Sequence, residues 1–197
     1  MSRSPDRPSA ARDRLLSKAG ELFYAEGING VGVDRVVAEA QVTKATFYRH
    51  FPSKDDLVVA YLDAVDREFR DWFSALESEH DDPMAALRAF FEGIAEYLCG
   101  TDFRGCHFIN AAAEQPHPEQ PIRRAVEKHR AWFRQTVHDT LERAQFPAVA
   151  AATDHLVMLR DGAMVEGYLE SATSAGAALM RGFELTVRHP EVFGEAA

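Results

Sequence analysis

The chain has 197 residues, 46% apolar and 27% charged, with a formal net charge of −9 at neutral pH. This composition reads as a soluble globular protein, and the length fits a small module joined to a larger core. No run of about 18 apolar residues exists, so no membrane span is expected, and two cysteines, Cys99 and Cys106, do not make a disulfide framework. The polar, Pro-rich opening MSRSPDRPSAARDR lacks the apolar segment of a signal peptide, so a cytoplasmic protein with a frayed N-terminal tail is expected.

Taken whole, the negative charge argues against nucleic acid. Its distribution reverses that. Residues 1–54 hold nine Lys/Arg against six Asp/Glu, a net of +3, and the remainder holds thirteen against twenty-five, a net of −12. A basic segment on an acidic body places the attraction for phosphate at one end of the chain.

In chain order nearly everything reads as helix. From Ala10 to Glu26, Leu15, Ala19, Leu22 and Phe23 recur on one face of a 3.6-residue period. Gly27 is a C-terminal stop, INGVG is a loop, and Gly32 is the N-cap of a short helix over Val33–Ala40. A turn at Gln41 and Val42 follows. Thr43 caps a second short helix, which Pro52 ends, and Ser53 caps a long one from Lys54 to about Leu76, with Asp55 and Asp56 in its first turn. After the linker ESEHDDP, helices are expected at Met84–Leu98, Cys106–Gln115, about Ile122–Gln145, about 148–172 and 174–188. The fold class is therefore all-α, with about nine helices and no internal repeat.

Two short helices around a tight turn, the second dense in hydrogen-bond donors, is the pattern of a helix-turn-helix. A helix that reads DNA must expose one face carrying donors for phosphates and base edges. Over Thr43–His50, Phe47 and Phe51 stand four apart and face inward. Thr43, Lys44, Ala45, Thr46, Tyr48, Arg49 and His50 remain for a groove or the backbone, and Lys54 is placed for a phosphate. The bland alternative is a solvated amphipathic helix, which fits any one of these residues better than it fits the whole run 33–57.

That run resembles the N-terminal domain of TetR-family transcriptional regulators. They typically show an Ile-Ala pair in the second helix, an Ala-Gly-Val turn, a Lys-x-Thr-x-Tyr-x-x-Phe helix and a Ser-Lys-x-x-Leu start to the fourth. Here Val36-Val37 and Ala40-Gln41-Val42 stand at the first two places. Ala45 to Phe51 and Ser53-Lys54-Asp55-Asp56-Leu57 follow. Gln41 for Gly implies a turn that either needs no positive φ or tolerates the strain. Gly32 for the usual Thr implies a slightly weaker helix start. The resemblance implies residues 1–53 as a tail plus DNA-binding domain and 54–197 as a helical ligand-binding and dimerisation domain. It further implies a homodimer on double-stranded operator DNA, most often a repressor, released by a small molecule that the sequence does not identify.

The body is compatible with this. Ala175, Ala178, Leu179, Gly182 and Phe183 form a stripe on the last helix. The helix before it is apolar most of the way round, with Leu156, Leu159 and Ala163 on one face, so it must be covered twice. These eight are the candidate dimer interface. Candidate effector contacts are Phe90, Ile94, Tyr97, Cys106, His107, Asn110, Glu114, Trp132, Phe133, Met158 and Tyr168, a mostly apolar set with a few polar groups. For each aromatic an ordinary core position is the competing reading. RGCHFINAAAE also resembles a Gly-Cys-x-x-x-Asn-x-x-x-Glu segment of one group of TetR-like regulators.

Cys106, at a helix start beside Arg104 and His107, is either a redox or electrophile sensor or a small buried hydrophobe. A DNA-binding regulator without a small-molecule ligand, controlled through that thiol or by a protein partner, is the alternative function. An enzyme is not expected. Cys106 and His107 point about 100° apart on a helix and cannot serve each other as nucleophile and base. No Gly-rich phosphate loop or HExxH is present, and His117 near Glu114 is the closest approach to metal spacing, so no cofactor or metal is expected.

Overall fold

The structure, a computed structural model, describes residues 9–193. Among them lie nine α-helices: α1 (Ala10–Glu26), α2 (Val33–Glu39), α3 (Lys44–His50), α4 (Lys54–Glu79), α5 (Pro83–Leu98), α6 (His107–Glu114), α7 (Pro121–Arg143), α8 (Val149–Glu166) and α9 (Ala172–Arg188). A π-helical turn, Gly167–Ser171, joins α8 to α9, and a 3-10 turn covers Pro190–Phe193. No strand occurs among the described residues, and the all-α reading holds. The expected frayed tail falls largely on residues 1–8, outside the described residues.

The chain forms two compact units. One takes the chain up to Asp66 together with His107–Val126; the other takes Arg67–Cys106 and the chain from Glu127 onward. In the first, α1 buries Leu15, Ala19, Leu22 and Phe23, the face its period marked out. Val36 of α2, Phe47 of α3 and Leu57, Val58 and Leu62 of α4 are buried with them. Gly27 closes α1 at φ +86, its N–H bonding the Phe23 carbonyl at 3.1 Å. The α2–α3 turn holds Gln41 at φ +53, so it keeps the left-handed conformation without the glycine that favours it.

In the second unit the core comes from Leu87, Phe90, Phe91, Ile94 and Leu98 of α5, Phe133 and Val137 of α7, Leu156 and Met164 of α8, and Leu179 and Phe183 of α9. Asp82 caps α5 by accepting from Met84 N at 3.0 Å, and Pro83 takes the first helical position. Helix ends differ modestly from expectation. α4 continues to Glu79, where Glu77 pairs with Arg143. α7 stops at Arg143 because Gln145 and Ala148 turn to positive φ around Phe146-Pro147. The helix expected to run from about 148 to 172 leaves α-geometry at Gly167. A Cβ there would lie 3.1 Å from Leu98 Cδ2, so the bare backbone lets the π-turn pack tightly. Ser171 then caps α9, its Oγ accepting from Ser174 N at 3.3 Å.

Candidate nucleic-acid interface and effector region

α3 is seven residues long and is fixed at both ends. Thr43 is extended (φ −90, ψ 156) and its Oγ1 accepts from Thr46 N at 3.1 Å. After Pro52, Ser53 Oγ accepts from Asp56 N at 3.1 Å, starting α4. Phe47 is fully buried and Phe51 nearly so, their ring centroids 6.1 Å apart. With that anchor inside, Thr43, Lys44, Ala45, Tyr48 and Arg49 stand exposed, while Thr46 and His50 are half-buried. Tyr48 is 54% exposed although its ring meets Phe47 edge-on at 5.1 Å. The stretch therefore presents a short row of donors on a helix whose other side cannot turn outward.

Besides the Thr43–Thr46 pair, three of the candidate DNA-contact side chains have local partners. Lys44 Nζ lies 2.6 Å from Asp34 Oδ1, an exposed α2–α3 pair; the hydrogen bond and charge of Asp34 push the Lys44 pKa up. His50 Nε2 is 3.2 Å from Ser9 Oγ. Lys54, half-buried, holds its ammonium 6.0 Å above the Phe23 ring.

The candidate effector residues do not converge on one cavity. Phe90 and Ile94 are fully buried, and Phe133 and Cys106 nearly so, all as packed core. Met158 is 73% exposed and Tyr168 is exposed. Trp132 is half-buried with Arg70 stacked 4.8 Å from its ring centroid. Tyr168 accepts from Arg104 at 3.1 Å. Tyr97 lines an open groove between α4 and α5, while Trp132 and Met158 each line a different one.

His107, Asn110 and Glu114 lie in the first unit, where α6 meets α1. The Tyr24 ring stacks on His107 at 4.1 Å, and the Tyr61 hydroxyl hydrogen-bonds His107 Nδ1. Glu114 Oε1 accepts from Ile28 N at 2.9 Å and Oε2 from Asn29 N at 2.6 Å, while Asn29 Nδ2 donates back to the Glu114 carbonyl at 3.2 Å. The space left among these side chains is about 10 Å³, too little for an effector. This cluster is a clasp on the α1–α2 loop. The sequence shows its residue types but not the loop they hold, 85 residues away.

Sequence reasoning also missed Arg160. Its guanidinium is buried, 5.1 Å from the Phe133 ring centroid, and Nη1 donates to Asp161 Oδ1 at 2.9 Å. Burial works to lower its pKa, but Cys106 and Asp161 beside it outweigh that and push it up. Asp161 in turn takes Arg130 at 2.7 Å. The adjacent Asp161 is visible in the sequence, but the burial of Arg160 against Phe133 and Cys106 is not.

Several candidate dimer residues are spent inside the protomer. Leu156 and Phe183 are fully buried, and Leu179, Ala175 and Ala163 nearly so. Gly182 seats Leu159, whose Cδ1 would lie 2.7 Å from a Cβ placed there. The stripe of small residues thus draws α8 and α9 together. The two helices and the π-turn between them leave exposed, among others, Met158, Val165, Leu169, Ala178 and Leu185. A cavity of about 380 Å³ opens beside Met158, Leu159 and Ala178.

The family profile described as "Bacterial regulatory proteins, tetR family" matches residues 15–61, and one described as "Tetracyclin repressor-like, C-terminal domain" matches residues 83–173. A TetR-family transcriptional regulator from Streptomyces coelicolor superposes with a TM-score of 0.87 at 46% identity, covering 91% of this chain and 95% of that one. The chain belongs to the TetR family. It is a DNA-binding transcriptional regulator, not an enzyme. Other relatives include the HTH-type transcriptional regulator LmrA of Bacillus subtilis, 26% identical over 62% of this chain. The HTH-type transcriptional repressor DhaR of Mycobacterium sp. is 33% identical over 58% of it. The matched stretches span 66% and 54% of those two relatives' own length. Among the described residues no helix is long and apolar enough to cross a membrane.

Proposed function

We propose that this TetR-family regulator binds a near-palindromic operator as a homodimer in the cytoplasm and releases it when a small molecule binds its C-terminal part. Residues 1–53 form the DNA-binding domain in this reading and 54–197 the effector-binding and dimerisation domain. The observation that carries it is α3: a capped helix with Phe47 fully buried behind it and Lys44, Tyr48 and Arg49 exposed in front. Two such helices, one per subunit, suit successive major grooves about 34–36 Å apart. Lys44 trades its ion pair with Asp34 for a phosphate, and Tyr48 and Thr46 face base edges or backbone. The apolar residues exposed on α8 and α9 supply the dimer contact. An effector lowers operator affinity only through its greater affinity for the state that fits DNA poorly. A relative named as a repressor supports repression as the direction of control.

The test is a gel shift on the inverted repeat flanking the protein's own gene. Tyr48→Ala should weaken binding by about tenfold. Lys44→Ala should weaken it and reduce the salt dependence by about one counterion. Both should melt like the parent; unchanged affinity in both variants removes α3 from the groove.

A second reading, control through a thiol, is favoured by one observation: the buried Cys106 lies beside the charged Arg160. In that case an electrophile releases the operator from the parent protein and fails to do so from Cys106→Ser; equal release from both rejects it.

A further inference from the structure

The second unit holds a groove of about 630 Å³ between α4 and α5. Its size falls within the range of roughly 300–1,000 Å³ typical of small-molecule sites. The floor is aromatic. Phe69 and Trp72 are 6.0 Å apart, and Tyr97 stands edge-on to Phe69 at 6.5 Å and 78°. Gly93 makes this floor possible: a Cβ there would fall 2.2 Å from Trp72 Cζ2 and 2.8 Å from Cη2. Beneath, Trp72 meets the fully buried Phe90 edge-on at 4.7 Å, so the indole is held in place before any ligand arrives.

The rim carries one sign of charge. Glu68, Glu92 and Glu96 line the groove and are exposed. Among the described residues none of the three has a side-chain hydrogen bond or ion pair. Arg88, one turn before Glu92, is committed to Glu184 and lies 5.5 Å from the Phe183 ring centroid. Glu92 and Glu96, four residues apart on one helix face, repel each other. Aromatic faces are themselves regions of negative potential. The groove therefore offers acceptors and π-faces together, the chemistry that holds a desolvated cation with an apolar body.

We propose that the α4/α5 groove binds a hydrophobic organic cation, a quaternary ammonium or a heteroaromatic cation. Its part in control rests on the effector response proposed above. The ring system stacks on Trp72 and Phe69, and the positive centre sits among Glu68, Glu92 and Glu96. An anion of the same shape meets three carboxylates and is excluded.

The probe is N-methylacridinium, a fluorescent ring with a permanent positive charge, compared with acridine at mildly alkaline pH, where the same ring is neutral. Fluorescence anisotropy with the full-length protein should show saturable binding of the cation. Affinity should be weaker by on the order of tenfold for acridine, and by a similar factor for the Glu92→Gln/Glu96→Gln double variant. These glutamines keep shape on an exposed helix face, so the variant folds; Trp72→Leu, checked by thermal melting, reads the aromatic floor separately and should also weaken binding. Equal affinity for cation and neutral ring, an unaffected double variant, or no saturable binding each overturns the proposal. A parallel gel shift separates it from the regulatory reading. Charge-selective binding that leaves an operator complex intact keeps the site and rejects its role in release. Release by some other compound without N-methylacridinium binding keeps the regulator and rejects this site.

Discussion

α3 and α5 divide their side chains in opposite proportions. α3 hides Phe47 and shows most of the rest: Lys44, Ala45, Tyr48 and Arg49 are exposed. α5 hides Ala86, Leu87, Phe90, Phe91, Ile94 and Leu98 and leaves Glu92, Glu96 and Tyr97 outward. A short helix with one deep anchor is a display element. A helix buried along most of its length can meet a ligand only with its outer face, because its aromatics are already packed at interior density. The aromatic residues that look most like a binding pocket are for that reason the ones least free to form one.

The sharpest way to break this comparison is at the anchor itself. Phe47→Ala removes a fully buried ring and should cost about 3–5 kcal/mol. That is a large share of the stability of an ordinary domain. Tyr48→Ala, one residue on and 54% exposed, should change stability by less than about 0.5 kcal/mol. Chemical denaturation of both variants checks the pair. Similar stabilities would mean that α3 is not held by Phe47, and its exposed face would lose its fixed aim.

The same contrast explains what was legible in the sequence. α1 to α4 could be read from local signals. Leu15, Ala19, Leu22 and Phe23 keep a helical period, Thr43 caps α3 as its position implies, and Ser53 caps α4. Each is decided by residues within one or two turns. Apart from Asp161 beside Arg160, the partners of Glu114, Arg160 and Trp72 are residues far away in sequence: Ile28 and Asn29, Cys106, and Gly93. No period or spacing contains that information. The small-residue stripe on α9 was visible, but not which helix it meets. Gly182 seats Leu159 of α8, while Gly176 seats against Ala95 and Phe183 lies 5.0 Å from Phe91, both of α5.

Next in size is the surface α8 and α9 leave uncovered. Met158 of α8 and Leu169 of the π-turn that joins it to α9, 73% and 69% exposed, are the most exposed large apolar side chains of this segment. If they meet a second copy, Met158→Glu/Leu169→Glu should raise the dimer dissociation constant by about a hundredfold or more, since each buried side chain of this kind contributes about 1.5–3 kcal/mol. Light scattering over a dilution series reads this directly. Phe183→Leu, inside the protomer, should lower the melting temperature without shifting the dimer equilibrium. The opposite pattern would return the interface to the buried stripe.

A smaller effect is expected at the α6 clasp. Glu114→Ala leaves the buried Ile28 N–H without its acceptor, while Asn29 N–H, exposed, turns to water. The cost should be about 1–2 kcal/mol. Amide exchange should speed up at Ile28 and Asn29 and stay slow at Phe47 and Phe51. Unaltered exchange at the loop would mean that the stacking of Tyr24 on His107 holds α6 alone.

The smallest effect compares two helix starts of the same module. Thr43 caps α3 with a side-chain hydrogen bond; Gly32 sits at the equivalent position of α2 with none. Gly32 has φ −84 and ψ 158, an extended conformation any residue adopts, and a Cβ there meets nothing within 4 Å. Gly32→Thr therefore introduces no strain. It should gain a few tenths of a kcal/mol from the cap. A similar or slightly larger amount should come from reducing the freedom of the unfolded chain. Together these should raise the melting temperature by roughly 2 °C. Thr43→Gly, the reverse change at α3, should lower it by a similar amount. Because Gly32 starts the helix before the one proposed to read DNA, operator affinity should be unchanged in Gly32→Thr and reduced in Thr43→Gly. That outcome would separate the helix that supports α3 from the helix that reads.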